Sequence, residues 1–190
     1  MREETSRAVL VALYLRDALG VPDPSGLPRL LGTALPVAEP PPDEFAWWWT
    51  RWWVSIVEPD ADGWGVPLRT VDDEGMVVVP ESGADAYVAA LRRHLDDART
   101  WADLVHADET ERALDRTRRG DPLVLAELVA EREADAGRAA RPFRLRLEVL
   151  PLTVGSVWWI AEHAVAVDSQ LRDDPLLFRE AMRAIVAQLA

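Results

Sequence analysis

The segment from Phe45 to Val57, FAWWWTRWWVSIV, holds five of the nine tryptophans of this 190-residue chain. At helical spacing its apolar residues form one stripe, made of Phe45, Trp48, Trp49, Trp52, Trp53 and Ile56. As a β-strand, the segment would instead place Arg51 and Ser55 on the same face as Trp47 and Trp49. The pattern therefore predicts a helix over residues 43–57, with Asp43 as N-cap after three prolines and with Pro59 beyond its end.

A second face of this predicted helix carries Trp47, Arg51 and Val54, on the side opposite the main stripe. Arg51 is one helical turn from Trp47, so its guanidinium can reach the indole ring. A helix that is apolar on both sides must be covered on both sides or must meet a partner. We expect the main stripe to be buried, and these three residues are the candidate interaction site.

The composition narrows the class of function. The formal net charge is −12 and the isoelectric point is near 4.7, which opposes binding to nucleic acid or to anionic lipid. Lysine, cysteine and asparagine do not occur in the chain. This excludes Schiff-base and P-loop lysine chemistry, thiol nucleophiles, thiolate metal sites and disulfides. We expect no cofactor, and the bias towards arginine, alanine and proline is typical of a GC-rich bacterial genome.

The apolar stretch at residues 8–15 is much shorter than a membrane span. The residues before it balance two arginines with two glutamates, unlike the positively charged start of a signal peptide. The sequence therefore predicts a cytoplasmic protein with no membrane partner.

Hydrophobic patterning over the whole chain predicts one α+β domain at residues 1–190, with an irregular proline-rich segment at 21–42 inside it. Further helices are expected at 5–19, 84–105, 110–119, 121–137 and 174–189. Strands are expected at 68–71, 76–79, 143–149, 154–160 and 164–167. We predict an antiparallel sheet of four to five strands, with helices mainly on one face, the tryptophan-rich helix buried and the charged helix at 84–105 outside.

A compact group near the C-terminus mixes an imidazole, carboxylates and a hydroxyl: Glu162, His163, Asp168 and Ser169. These residue types could serve a hydrolase or a metal-assisted enzyme, with His163, Asp168 and Ser169 as catalytic candidates. No GxSxG elbow surrounds Ser169, and spacing alone does not fix a triad geometry. The alternative interpretation is a set of structural polar residues near a sheet edge.

Two further patterns suggest ligands. Asp103 and His106 lie three residues apart on a predicted helix and could offer oxygen and nitrogen to a divalent metal. The acidic loop at 58–69 resembles a calcium loop only loosely, because Arg69 stands where a bidentate glutamate is required. A pocket walled by Trp52, Trp64 or Trp158 could hold a small apolar ligand, which would make the protein a carrier.

No catalytic template fits the chain well, whereas the 43–57 helix has an apolar face left over after its core stripe is assigned. The main hypothesis is therefore a non-catalytic, cytoplasmic interaction or accessory domain. Its expected partner is another protein or a second copy of the chain. The hydrolase and the small-ligand carrier remain as alternatives.

Overall fold

The computed structural model describes residues 2–22, 26–33, 35, 41–59, 67–120 and 123–189, apart from the side chain of Leu123. Within these ranges the elements are, in chain order, β1 (Arg2–Glu4), α1 (Arg7–Leu19), α2 (Asp43–Val57), β2 (Leu68–Thr70), β3 (Val78–Pro80), α3 (Asp85–Arg92), α4 (Leu95–Arg119), α5 (Leu123–Ala136), β4 (Arg146–Leu150), β5 (Val157–Ala161), β6 (Ala164–Asp168), α6 (Ser169–Asp173) and α7 (Pro175–Leu189). The protein has an α+β fold. None of the described helices is long and apolar enough to cross a membrane.

The main sheet has the strand order β1-β4-β6-β5. β1 and β6 both run parallel to β4, and β5 runs antiparallel to β6. The prediction of an antiparallel sheet is therefore wrong, because the described sheet is mixed. The reason is that β5 takes the outer position of its hairpin with β6, which leaves β6 beside β4 and running in the same direction. The predicted hairpin of β2 and β3 is confirmed, but it forms a separate two-stranded sheet.

Helices cover both faces of the main sheet. Leu147, Val165 and Trp159 belong to an apolar cluster with residues of α5 and α7. Ile160 and Trp158 lie on the other face, in the cluster that contains α1, α2 and α3. The prediction of helices mainly on one face is wrong, because strands that carry apolar residues on both faces need cover on both. Trp158 and Trp159 do face opposite sides, as their adjacent positions predict.

Helix α2 begins at Asp43, with Pro42 rather than Asp43 at the N-cap position. Its inner side buries Phe45, Trp49, Trp52, Trp53 and Val57. Two of its buried indole N–H groups have acceptors: Trp49 Nε1 donates to the carbonyl of Ala12 at 2.9 Å, and Trp52 Nε1 donates to the carbonyl of Met76 at 3.0 Å. The rings of Trp49 and Trp53 stack at a centroid distance of 5.4 Å. Because the N–H groups of Trp49 and Trp52 have acceptors, these two indoles are buried without leaving an unpaired donor.

Helix α1 anchors part of the proline-rich segment. Arg16 and Asp17 are both buried and form a salt bridge at 2.8 Å. Asp17 Oδ2 accepts the backbone N–H of Leu30 at 2.9 Å, and Arg16 donates to the carbonyls of Leu27 and Pro28 at 3.0 and 2.8 Å. Side chains of one helical turn therefore bind the backbone of residues 27–30, where proline limits regular pairing.

The charged helices differ from their predicted bounds. The predicted helix at 84–105 is interrupted at Arg93 and His94, and α4 then runs without a break to Arg119, where Gly120 ends it in a left-handed conformation at φ 84°. No glycine or proline lies within α4, so nothing local separates 84–105 from the second helix predicted at 110–119. One side of these helices is buried through Tyr87, Leu91, Leu95, Ala98 and Ala102. The predicted N-cap Asp121 of the next helix lies outside the described residues.

Replacing Trp52 by alanine should lower the free energy of unfolding by about 3 to 5 kcal/mol, because the change empties a fully buried indole site and removes the hydrogen bond to Met76. Urea unfolding followed by circular dichroism measures the loss. Trp47→Ala is the matched control, since Trp47 lies on the same helix with 47% of its surface exposed, and it should cost less than about 1 kcal/mol. Equal unfolding midpoints for the two variants would contradict the assignment of Trp52 to the core.

Candidate interaction surface

The outward side of α2 presents Trp47, Arg51 and Val54, which we call the α2 outer face. Trp47 is 47% exposed and Val54 is 38% exposed. The guanidinium carbon of Arg51 lies 4.7 Å from the centroid of the Trp47 ring. The ring of Trp48 meets Trp47 edge-on at a centroid distance of 4.1 Å and supports it from one side. The structure therefore places these three residues together on the surface.

The chemistry of the α2 outer face suits binding rather than catalysis. An arginine over an indole contributes on the order of 0.5 to 1 kcal/mol at an exposed site and limits the rotation of both side chains. Tryptophan and arginine are also the side chains that most often dominate binding energy at protein interfaces. The nearby Ser55 hydroxyl is already committed, since it donates to the carbonyl of Trp52 at 2.7 Å.

The structure does not bring His163 together with Asp168 and Ser169. His163 lies in the turn between β5 and β6 with 62% of its side chain exposed, whereas Asp168 ends β6. Because Asp168 is five positions beyond His163 along an extended strand that rises about 3.3 Å per residue, the two residues are about 16 Å apart. A Ser-His-Asp triad requires direct hydrogen bonds, so these residues cannot form one.

Asp168 and Ser169 are instead structural. Asp168 is buried, and its Oδ1 accepts the backbone N–H of Leu152 at 3.1 Å. Its Oδ2 accepts the backbone N–H of Leu171 at 3.1 Å, which makes Asp168 the N-cap of α6. Ser169 is buried in the first turn of that helix. An aspartate directly before a short helix is the pattern that could have revealed this role in the sequence.

Asp103 and His106 bind the start of α1 rather than each other. Asp103 forms a salt bridge with Arg7. His106 Nδ1 lies 2.7 Å from the carbonyl oxygen of Thr5. In the described part of the chain, no group of three or more histidine, cysteine, aspartate or glutamate residues could hold a metal ion. The acidic positions 60 and 62 of the calcium-loop pattern lie outside the described residues.

The tryptophans proposed to wall a ligand pocket do not line the described cavities. Trp52 is fully buried and Trp158 packs against the main core, while Trp64 lies outside the described residues. One cavity of about 570 Å³ lies between β1 and α4. A second, of about 700 Å³, lies where the end of α2 meets the β5–β6 turn, and His163 is among its lining residues. The described lining of neither cavity includes a tryptophan.

A buried ionic network, which sequence reasoning missed, joins β1, α4 and α6. Arg116 is 1% exposed and donates to Glu109 and Asp173 at 2.7 Å each and to Glu3 at 3.2 Å. Arg172 donates twice to the second carboxylate oxygen of Glu3 at 3.0 Å. Burial raises the pKa of the Glu109 carboxyl, and Arg116 opposes that shift. Each carboxylate of the network is therefore held in place by a buried guanidinium.

Comparisons with protein-family models, with curated proteins and with solved structures find no match for this chain.

Replacing Arg116 by alanine should lower the free energy of unfolding by about 3 to 5 kcal/mol, because Glu109 would lose its buried counter-ion. Chemical denaturation at pH 7 measures the loss. The matched control is Arg118→Ala, which removes an exposed arginine two residues away and should change stability by less than about 0.5 kcal/mol. If Arg116→Ala unfolds at the same denaturant concentration as Arg118→Ala, the network does not stabilise the fold.

Proposed function

We propose that this protein is a non-catalytic interaction protein that docks another protein through the α2 outer face, Trp47, Arg51 and Val54. The observation that carries the proposal is the half-exposed Trp47, held in place by Arg51 on the outer side of a helix whose inner side is buried. In this proposal α2 is a buried, tryptophan-rich core helix on its inner side and a binding surface on its outer side.

The energetics favour a partner at this face. Covering the exposed part of Trp47 would remove on the order of 100 Å² from water and contribute about 2 to 3 kcal/mol to association. The α2 helix is already anchored by Trp49, Trp52 and Trp53, so the fold does not need that contribution. The Arg51 contact restrains the indole before the partner arrives, which reduces the entropy lost on binding.

Charge favours a different protein over a second copy. Two copies would each bring a formal net charge of −12, and long-range repulsion would slow their encounter. We expect a docking segment that sets an apolar side chain against Trp47 and Val54 and offers a hydrogen-bond acceptor to Arg51. The proposal places the protein in the cytoplasm, without a cofactor or a nucleic-acid partner.

The two alternatives receive less support. An enzyme that uses His163, Asp168 and Ser169 would need these residues at one site, but β6 separates His163 from the other two. A carrier walled by tryptophans would need Trp52 free to face a ligand, but its ring is in the core and its N–H is bonded to Met76.

The test is binding by purified variants. Affinity capture from the source cells should identify a partner, whose dissociation constant is then measured with purified proteins by calorimetry. Trp47→Ala should weaken binding about 30-fold or more, because a central aromatic anchor contributes 2 kcal/mol or more. Leu176→Ala, which truncates a 79% exposed leucine on α7, is the matched control and should bind like the wild type.

Two outcomes would count against this proposal. Equal affinities of wild type and Trp47→Ala would remove the α2 outer face as the docking site. Sedimentation velocity that shows a wild-type dimer, lost in Trp47→Ala, would replace the different protein with a second copy.

A further inference from the structure

Glu4 and Glu148, which are far apart in the sequence, lie on neighbouring strands of the main sheet. In the parallel pair of β1 and β4, Glu4 is the register partner of Glu148. The side chain of Glu148 is fully buried, and that of Glu4 is 20% exposed. As register partners on neighbouring strands, the two side chains lie side by side, and one oxygen of each lies within 4 Å of Arg146 Nε. Two ionised carboxylates at this separation would repel each other strongly in a site away from water.

Only one of the two carboxylate oxygens of Glu148 has a hydrogen-bond donor among the described residues. Its Oε2 accepts the backbone N–H of Ser6 at 3.0 Å. Its Oε1 is buried and has no hydrogen-bond partner among the described residues. Arg146 Nε lies 3.5 Å from that oxygen and 3.8 Å from Glu4 Oε1, and it too lacks a hydrogen-bond partner there. A buried oxygen without a donor is costly, which points to a hydrogen atom located on the oxygen itself.

The described elements around Glu4 and Glu148 do not supply a hydrogen-bond donor to Glu148 Oε1. On β1, Arg2 binds Glu4 Oε2 at 2.7 Å, so Glu4 already has a cation. On β6, the register partner of Glu148 is Ala166, which has no polar side chain. The charged residues that α1 and α4 contribute nearby are committed elsewhere: Arg7 pairs with Asp103 and Glu74, His106 binds the carbonyl of Thr5, and Glu109 pairs with Arg116. On α2, the carbonyl of Val57 accepts from Arg146 at 2.8 Å.

We propose that Glu148 carries a proton on Oε1 and donates it in a hydrogen bond to the Glu4 carboxylate, so that one proton acts as a latch between β1 and β4. The proton satisfies the orphaned oxygen and leaves a single negative charge, which Arg2 and Arg146 share. When Glu148 releases the proton to solvent, both groups become carboxylates and the hydrogen bond between them is lost.

The latch operates near neutral pH. Burial, together with the charge of Glu4, raises the pKa of Glu148 to about 7, from 4.5 for an ordinary glutamate. The folded protein therefore binds this proton more tightly than the unfolded chain does. The stabilisation is fully present below about pH 4.5 and is lost as the pH rises through about 7.

Loss of the proton from Glu148 should loosen a short region of β1 rather than the whole strand. Glu3 remains bound to Arg116 and Arg172, and the backbone N–H of Arg2 remains bonded to the carbonyl of Leu145 at 2.9 Å. The residues that lose support are Glu4 and Thr5, which line the cavity of about 570 Å³ between β1 and α4, whereas the bond from the Ser6 N–H to Glu148 favours the ionised carboxylate and persists. Above neutral pH this wall of the cavity becomes mobile, so access to the cavity depends on pH.

The first test follows the Ser6 amide resonance by NMR between pH 5 and pH 9, because this N–H donates to Glu148. This measurement can be made on the unmodified protein. We expect a midpoint above pH 6 in the wild type and no titration in that range in Glu148→Gln, whose amide replaces the proton with a permanent donor. Glu81→Gln, at an exposed position, is the control and should titrate like the wild type. A wild-type midpoint at or below pH 6, or an unchanged titration in Glu148→Gln, would overturn the shared proton.

The second test measures the latch itself. Hydrogen-exchange protection of the Glu4 and Thr5 amides, corrected for the intrinsic effect of pH, should fall about tenfold between pH 6 and pH 8 in the wild type. In Glu148→Gln the protection should stay constant. A wild-type change of less than threefold would overturn the latch even if the Ser6 resonance titrates above pH 6.

Discussion

Helix α1 is buried along almost its whole length, and the other layers are placed by the need to cover it. Residues from Val9 to Leu19 are buried on every side. One side meets the main sheet, another meets α4, and a third meets α2, whose Trp49 donates to the carbonyl of Ala12. A helix without a polar face cannot lie at a surface, so the sheet and the amphipathic helices must surround it. The tryptophans of α2 supply the large apolar area that closes this side of the core.

Buried arginines join these layers by binding backbone carbonyls and carboxylates inside the protein. Arg16 binds backbone carbonyls of the proline-rich segment, while Arg116 and Arg172 bind Glu3 of β1. A guanidinium has five donors in a fixed plane and can satisfy several acceptors at once, which an ammonium group does less well. A chain without lysine therefore retains buried cations that bind several groups each. Strand β1 depends on them most, because it is only three residues long and lies at the sheet edge.

Glu3 and Glu4, two adjacent residues of β1, are accommodated in different ways. Glu3 is neutralised by arginines from α4 and α6. Glu4 faces Glu148, which has no arginine within hydrogen-bonding geometry among the described residues, so a proton takes the place of the cation. The α2 outer face presents a tryptophan that is positioned by Arg51 and left half-exposed. Binding at that face and proton release at β1 involve different layers and can be examined independently.

Local pattern in the sequence indicated most of the helices and strands, although not β1 or α6, and it indicated which side of several of them is buried. The spacing of the stripe predicts one buried side of a helix at 43–57, made of Phe45, Trp48, Trp49, Trp52, Trp53 and Ile56, of which Trp48 and Ile56 are only partly buried. Adjacency alone places Trp158 and Trp159 on opposite sides of a strand. Composition excluded chemistry that needs lysine or cysteine. Helix and strand periodicity act over a few residues, so the sequence alone records them.

Only the tertiary structure decided which elements meet. Whether a strand pairs parallel or antiparallel depends on the path of the chain between strands, which the alternation within β4 or β6 does not record. The same holds for side chains: Glu3 meets Arg172 across 169 residues, and Glu148 binds the backbone of Ser6 across 142. His163 and Asp168 are close in sequence but separated by a full strand length. The sequence determined the surfaces of each element, whereas long-range packing determined their partners, because a side chain pairs with what the fold brings near it.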